Sequence, residues 1–221
     1  MKVLVFDTET NGLVDKNVSI FNTIEWPHIL QLSYIMYDIS TNDIVAGDNY
    51  INIDKSVKIS DESYEIHKIS RDKLNKEGVN ITNVLKEFNA RVDECDLLVG
   101  HNLSFDRDII FVECLRNHVK QNFTQFYRGG KKVKPEYCTM NNTKKFCGFL
   151  RKNSYGHGYY KNPKLSELYN KLFPNNPTPT NLHNSLQDSV ITLACYLKYK
   201  HNIDLFKKND TAKFLYECCE K

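Results

Sequence analysis

Hydrophobic and polar positions along this chain follow two different periods, and each change of period marks an element. Residues 3–6, Val-Leu-Val-Phe, form the short unbroken apolar run that a strand buried on both faces requires. The run passes into a polar stretch, Asp7-Thr8-Glu9-Thr10-Asn11-Gly12. Segments 28–38 and 43–53 are rich in Ile, Leu, Val and Tyr with Ser40-Thr41-Asn42 between them, which predicts an antiparallel hairpin. Ser60 is placed to cap a short helix over 61–68. Asn80 is placed to cap a firmer one in which Ile81, Val84, Leu85, Phe88 and Val92 recur at helical spacing. Residues 96–100 read as a second short buried strand. Ser104 then caps a helix over 105–118, with Ile109, Ile110, Val112 and Leu115 facing inward. Asn162-Pro163 opens a helix through 173 with Pro at its first position and Leu165, Leu168, Tyr169 and Leu172 inward. After a Pro-rich turn over 174–179, the last periodic segment, 184–199, turns Leu186, Val190, Leu193, Ala194 and Leu197 inward. Strands interleaved with helices predict an α/β domain.

Length and composition narrow the class. A chain of 221 residues suits one domain over 1–221, and no linker, repeat or low-complexity tract divides it. No apolar run approaches a membrane span, and the first predicted strand begins at Lys2 with no leader before it. The expectation is a protein without membrane contact, intracellular in the cytoplasm or with the nucleoid or nucleus, and not secreted. Seven cysteines without a C-x-x-C spacing support neither a zinc knuckle nor a redox motif.

Charge changes the picture more. The net charge of +3 conceals an asymmetry: residues 119–164 carry eleven Lys and Arg against one acid, Glu136, so the rest of the chain is acidic. This insertion-like segment interleaves Phe123, Phe126, Tyr127, Tyr137, Tyr155, Tyr159 and Tyr160 with its cations, a mixture suited to tracking a single-stranded nucleic-acid backbone. Lys131, Lys132 and Lys134 are its candidate phosphate contacts.

The candidate chemistry lies at the ends of predicted elements. Positions two apart on an extended chain share a face, so Asp7 and Glu9 can converge on one point, where a hard divalent cation would offset their repulsion. Gly12 lets backbone approach a ligand closely. Asp106 falls in the first turn of its helix, where the helix dipole favours an anion. His183 and Asp188 are five residues apart, about 500° of helical turn, which leaves them about 140° apart on a regular helix. His183 therefore sits in the loop before the helix and Asp188 one turn inside it.

The stretches FDTETNGL, HNLSFDRD and HNSLQD resemble, in order and content, the three exonuclease motifs of the DnaQ-like (DEDDh) 3′→5′ exonucleases, the group that includes the proofreading subunit of bacterial replicative polymerase. Trp26 to Leu32, Ile66 to Ser70, Cys138-Thr139-Met140 and Leu165 to Leu168 are similar to the connecting elements, so the likeness runs through nearly the whole chain. The resemblance implies a ribonuclease H-like fold, a mixed central sheet of about five strands flanked by helices. It makes Asp7, Glu9, Asp106 and Asp188 ligands of two divalent ions, Mg²⁺ or Mn²⁺, and His183 the general base; Asn184 stands where a sister group has a Tyr, which indicates the histidine variant. The long basic segment, and Lys68 where many relatives have Gly, depart from the family pattern. The reaction implied is hydrolysis from a 3′ end, releasing nucleoside 5′-monophosphates, with DNA favoured over RNA and a DNA polymerase a candidate partner. Backbone near Thr8, Thr10 and Gly12 is placed to hold the terminal hydroxyl, Leu13 and Phe105 to pack on terminal bases, and His101 and Asn102 to contact the strand. An RNA 3′-end trimming enzyme and a non-catalytic nucleic-acid or polymerase-binding module are the alternatives.

Overall fold

The computed structural model describes residues 1–15, 17–121, 123, 134–180 and 182–218. Its centre is β1 (Lys2–Thr10), the strand that ends in the acidic stretch. β1 pairs antiparallel with β2 (Ile29–Asp38), which pairs antiparallel with β3 (Ile44–Tyr50). Three helices follow: α1 (Asp61–His67), α2 (Arg71–Glu77) and α3 (Ile81–Glu94). The Ser60, Ser70 and Asn80 side chains cap them by accepting from backbone amides of their first turns. β4 (Leu97–Gly100) returns parallel to β1 on its other side. It feeds α4 (Leu103–Arg116), and β5 (Glu136–Cys138) adds a parallel edge. The five-stranded order is β3-β2-β1-β4-β5, the mixed sheet that the resemblance implied, with β1 in the middle.

The chain continues through α5 (Thr139–Cys147), a separate hairpin of β6 (Leu150–Lys152) and β7 (Gly158–Tyr160), α6 (Leu165–Leu172), α7 (Ser185–His201), α8 (Leu205–Lys208) and α9 (Asp210–Cys218). β1 is apolar on both faces because both are covered. Leu4 and Phe6 pack with α3 and α4, with the Phe6 and Phe88 rings edge-on at 5.1 Å; Val3 and Val5 pack with α7. The sandwich matters for the site, since α4 and α7 lie on opposite faces of the sheet while their N-terminal ends both reach the C-terminal end of β1.

Several local expectations are corrected. α4 begins at Leu103 with Asn102, not Ser104, in the cap position. Asn102 is in the left-handed conformation (φ 68) and Gly100 allows a tight turn, since a Cβ there would lie 2.8 Å from Leu103 Cδ1. Leu115 is 38% exposed, because the buried stripe of that last turn runs through Phe111 and Cys114. Pro163 precedes α6 rather than opening it: its carbonyl is turned toward His101 Nε2 (3.0 Å), and the helix starts at Leu165 with Glu167 accepting from the Lys164 amide (2.8 Å). α2, α5, α8, α9 and the β6–β7 hairpin are not announced by the apolar pattern. Among the described residues no helix is long and apolar enough to cross a membrane.

Candidate active site

The strand end gathers the acids. Asp7 and Glu9 leave the same face of β1, the face that α7 covers. Asp7 is in register with Ser33 and Glu9 with Gln31 on β2, and the pairing shifts between Glu9 and Thr10, where β1 leaves the ladder. Asp106 comes from the opposite face on α4 and is tied back to β1: one of its carboxylate oxygens accepts from the Thr8 amide (3.0 Å) and the Thr8 hydroxyl (2.8 Å). Asp188 lies one turn inside α7, and Asn184 caps that helix by accepting from the Leu186 (3.1 Å) and Gln187 (3.3 Å) amides. The start of α7 is fixed against the sheet by a buried polar contact. Ser185 Oγ meets Ser33 Oγ at 2.5 Å, and the Ser33 hydroxyl donates to Asp48 (2.7 Å). His183 is in the preceding loop with φ 86, and its amide donates to Asp188 (3.3 Å). Ligand atoms of Glu9, His183 and Asp188 lie within 4.8 Å of one another.

The electrostatics are those of anions gathered without a countercharge. Burial, and then Asp106, Asp188 and Glu9, hold the Asp7 carboxyl well above the ordinary carboxylate range. Burial, with Asp188 and Asp106 adding to it, pushes Glu9 up to about 8. Burial pushes Asp106 up to about 7 against the Thr8 hydrogen bonds, and Asp188 up to about 7 against the His183 amide. Among the described residues no Lys or Arg is ion-paired to any of the four, and Asp188 Oδ1 is buried without a hydrogen-bond partner. Hard oxygen donors of this number, in excess negative charge beside an imidazole, fit divalent cations. His183 is held below its usual value by burial and by Lys164, so its ring is neutral and basic near pH 7.

Two consequences have definite signs. A carboxyl whose pKa is raised holds its proton more tightly folded than unfolded. These carboxyls thus favour the folded, metal-free protein most below the ordinary carboxylate values of 3.8 and 4.5, and that contribution is lost as pH rises toward about 8. A divalent ion must displace those protons, so the rise in melting temperature caused by Mn²⁺ is expected to be large at pH 8 and to shrink toward pH 6 in differential scanning fluorimetry. A Mn²⁺ shift independent of pH would count against the carboxylate site. Thr8→Val, which removes the hydroxyl bound to Asp106, is expected to weaken Mn²⁺ binding about tenfold or more by isothermal titration, since a hydrogen bond to a charged group contributes ~1.5–3 kcal/mol.

Beside the acids lies an open cleft of about 810 Å³ between the β1 end, α1 and the start of α4. Thr8, Thr10, Gly12, Leu13, His101, Asn102 and Phe105 all line it, together with Glu9 and His183. Leu13 is 87% exposed, and Ile66 of α1, not among the expected base contacts, is 53% exposed on the same cleft. The Thr8 amide and hydroxyl are committed to Asp106, so they hold a carboxylate where a contact to a terminal hydroxyl was expected. A Cβ on Gly12 would meet nothing within 4 Å, so its close-approach role has no steric basis within the chain. His67 accepts from the Ile69 amide through Nδ1 (2.9 Å) and donates through Nε2 to the Thr10 carbonyl (3.2 Å), fastening α1 to the strand end. His101 contacts Thr139 Oγ1 (2.9 Å) and the Pro163 carbonyl (3.0 Å), and burial pushes its ring down to about 4, a neutral wall of the cleft. Lys134 lies at the far end of the sheet, donating to the Asp93 (3.1 Å) and Cys95 (2.6 Å) carbonyls; Lys131 and Lys132 fall outside the described residues.

A mixed five-stranded sheet with an acidic pool at the end of its central strand defines a ribonuclease H-like fold of the DnaQ-like exonuclease type. The chain belongs to the RNase_T exonuclease family, whose sequence model matches residues 4–196. Among solved structures it is similar to E. coli Exonuclease I in complex with a dT13 oligonucleotide, at 14% identity and TM-score 0.61 over 96% of this chain and 45% of that one. It is also similar to the moderately thermophilic Exonuclease I of Methylocaldum szegediense, at 13% identity and TM-score 0.56 over 96% of this chain and 44% of that one. At these identities the likeness is one of fold, and the chain spans under half the length of the Exonuclease I chains. No curated protein sequence matches it.

Proposed function

We propose that this chain is a divalent-metal-dependent 3′→5′ exonuclease that hydrolyses single-stranded or frayed DNA and releases nucleoside 5′-monophosphates. The observation that carries the reading is the convergence of four carboxylates and an imidazole, from three separated motifs, beside an open cleft. Membership of the exonuclease family supports the reaction class, and the dT13 oligonucleotide on E. coli Exonuclease I supports single-stranded DNA as the substrate.

Asp7, Glu9, Asp106 and Asp188 would hold two divalent ions, Mg²⁺ or Mn²⁺, which when bound supply positive charge to the attacking and leaving oxygens of an in-line displacement. The residues of the chain do the rest. His183, neutral near pH 7, takes the proton of the attacking water, and its loop position lets the ring reach the cleft. Thr8 holds Asp106 in place. Leu13, Ile66 and Phe105 offer apolar surface to the terminal bases, and Asn102, exposed at the start of α4, faces the strand.

The test is digestion of matched DNA and RNA oligonucleotides, labelled at the 5′ end, with Mg²⁺ or Mn²⁺ and with EDTA. Metal-dependent shortening from the 3′ end, faster on DNA, is the expected result. Preferential cutting of RNA would reassign the substrate to RNA trimming, and binding without cleavage would leave a non-catalytic module.

A further inference from the structure

The β6–β7 hairpin is built with more care than its size explains. The Asn153 side chain accepts from the amides of Tyr155 (3.0 Å) and His157 (2.9 Å), the Asn153 amide donates to the His157 carbonyl (2.9 Å), and Gly156 takes the left-handed position (φ 80). This ordered tip holds Tyr155 at 86% exposure. Every residue of both strands is exposed, Leu150, Tyr159 and Tyr160 among them. A two-stranded hairpin gains little from its own pairing, and apolar side chains displayed in solution contribute nothing to folding.

Charge says what suits the surface. Between Glu136 and Glu167 the chain has no acid and six Lys or Arg. Lys161 is paired with Glu167 (2.6 Å), whereas Lys144, Lys145, Arg151 and Lys152 form no ion pair among the described residues. Arg151 stands directly opposite Tyr159 in the register, so cation and ring share a face. Tyr160 lines a cleft of about 530 Å³ with Lys144, Lys145, Phe146 and Tyr199, the last two rings edge-on at 5.1 Å. Each face of the hairpin thus sets an exposed ring beside a cation, Tyr159 with Arg151 and Tyr160 with Lys152, and rings beside cations suit the bases and phosphates of a single strand.

The surface is also joined to the cleft. Three residues after Tyr160, the Pro163 carbonyl meets His101, and α5 starts at Thr139, which meets the other nitrogen of that ring. Three residues span at most roughly 11 Å, so one strand can touch both places.

We propose that the hairpin, with α5 and Tyr199, is a second contact surface for single-stranded nucleic acid, gripping the strand upstream of the 3′ end. This rests on the nuclease reading above. The test is fluorescence anisotropy in EDTA, where nothing is cut, using a labelled oligothymidylate of about 12 nucleotides, within the ~4–16 nucleotide reach of such surfaces. The pair Tyr155→Ser and Tyr159→Ser is expected to weaken binding about tenfold or more, with an unchanged circular dichroism spectrum, while Tyr155→Phe with Tyr159→Phe keeps the affinity. Arg151→Ser with Lys152→Ser is expected to reduce the slope of log affinity against log salt by about 1.4. Affinity unmoved by either pair, or lost equally in the Phe pair, overturns the proposal. So does self-association that the same substitutions abolish, which would assign the hairpin to a second copy of the chain. A small substrate, the p-nitrophenyl ester of thymidine 5′-monophosphate, reads the carboxylate site without reaching the hairpin. Its metal-dependent hydrolysis by the unaltered protein, with hairpin variants that bind like wild type, would end this proposal and leave the nuclease reading standing. No hydrolysis in the unaltered protein would strike the nuclease reading itself.

Discussion

Asp7→Asn is expected to abolish Mg²⁺-dependent shortening of a labelled oligonucleotide, by at least about 10³-fold or about 4 kcal/mol of transition-state stabilisation, while making the metal-free protein more stable. The two halves have one cause. Burial, and then Asp106, Asp188 and Glu9, raise the Asp7 pKa, so its ionised form is opposed by all three neighbouring acids. Removing that charge relieves the other three, and in EDTA at pH 8 the melting temperature should rise by about 2–4 °C for each kcal/mol regained. The Mn²⁺ shift should largely disappear in the same variant. A fall in both activity and metal-free stability would mean that Asp7 is a structural acid with partners in the fold, and retained activity would end its assignment as a ligand.

His183→Ala carries the second large effect. The expected result is a fall in kcat of about 10²–10⁴-fold with KM for the oligonucleotide little changed, the range that general-base catalysis accounts for. The residue is exposed in its loop, and among the described residues its hydrogen bond is made by the backbone amide, which donates to Asp188, so loss of the ring should cost little stability. A proton acceptor and a metal ligand are separated by titrating Mn²⁺ into the variant. Affinity within a few-fold of wild type supports the base role, whereas a loss matching the Asp7→Asn variant would make His183 a ligand. The imidazole lies close enough to Glu9 and Asp188 for either outcome to be informative.

What the chain declared by itself was local. The apolar run of β1, the Ile-, Leu- and Tyr-rich stretch of β2, the spacing of α3 and the caps at Ser60 and Asn80 follow from short-range sterics and from which faces must leave water, and each could be read within a window of about a dozen residues. The need for His183 to stand outside the last helix came from the same kind of reasoning, whereas the grouping of the three acidic motifs was what the resemblance to the DnaQ-like exonucleases implied. Other features were decided only by packing. Asp106 and Asp188 come from opposite faces of the sheet, and they meet because α4 and α7 each begin against the tip of β1. Thr8 reads as a possible substrate contact until the fold brings Asp106 to its hydroxyl. Ile66 belongs to a helix whose periodicity is unremarkable, yet α1 is fastened to the cleft through His67. Ser104 and Pro163 are good helix starters by type, and both lost to the surroundings: Ser104 to the tight turn at Gly100, and Pro163 to the hydrogen bond that its carbonyl accepts from the distant His101. Residue type sets which local conformations are cheap, whereas carboxylates can be held together only when elements distant in sequence are packed around them at a cost that a bound cation offsets.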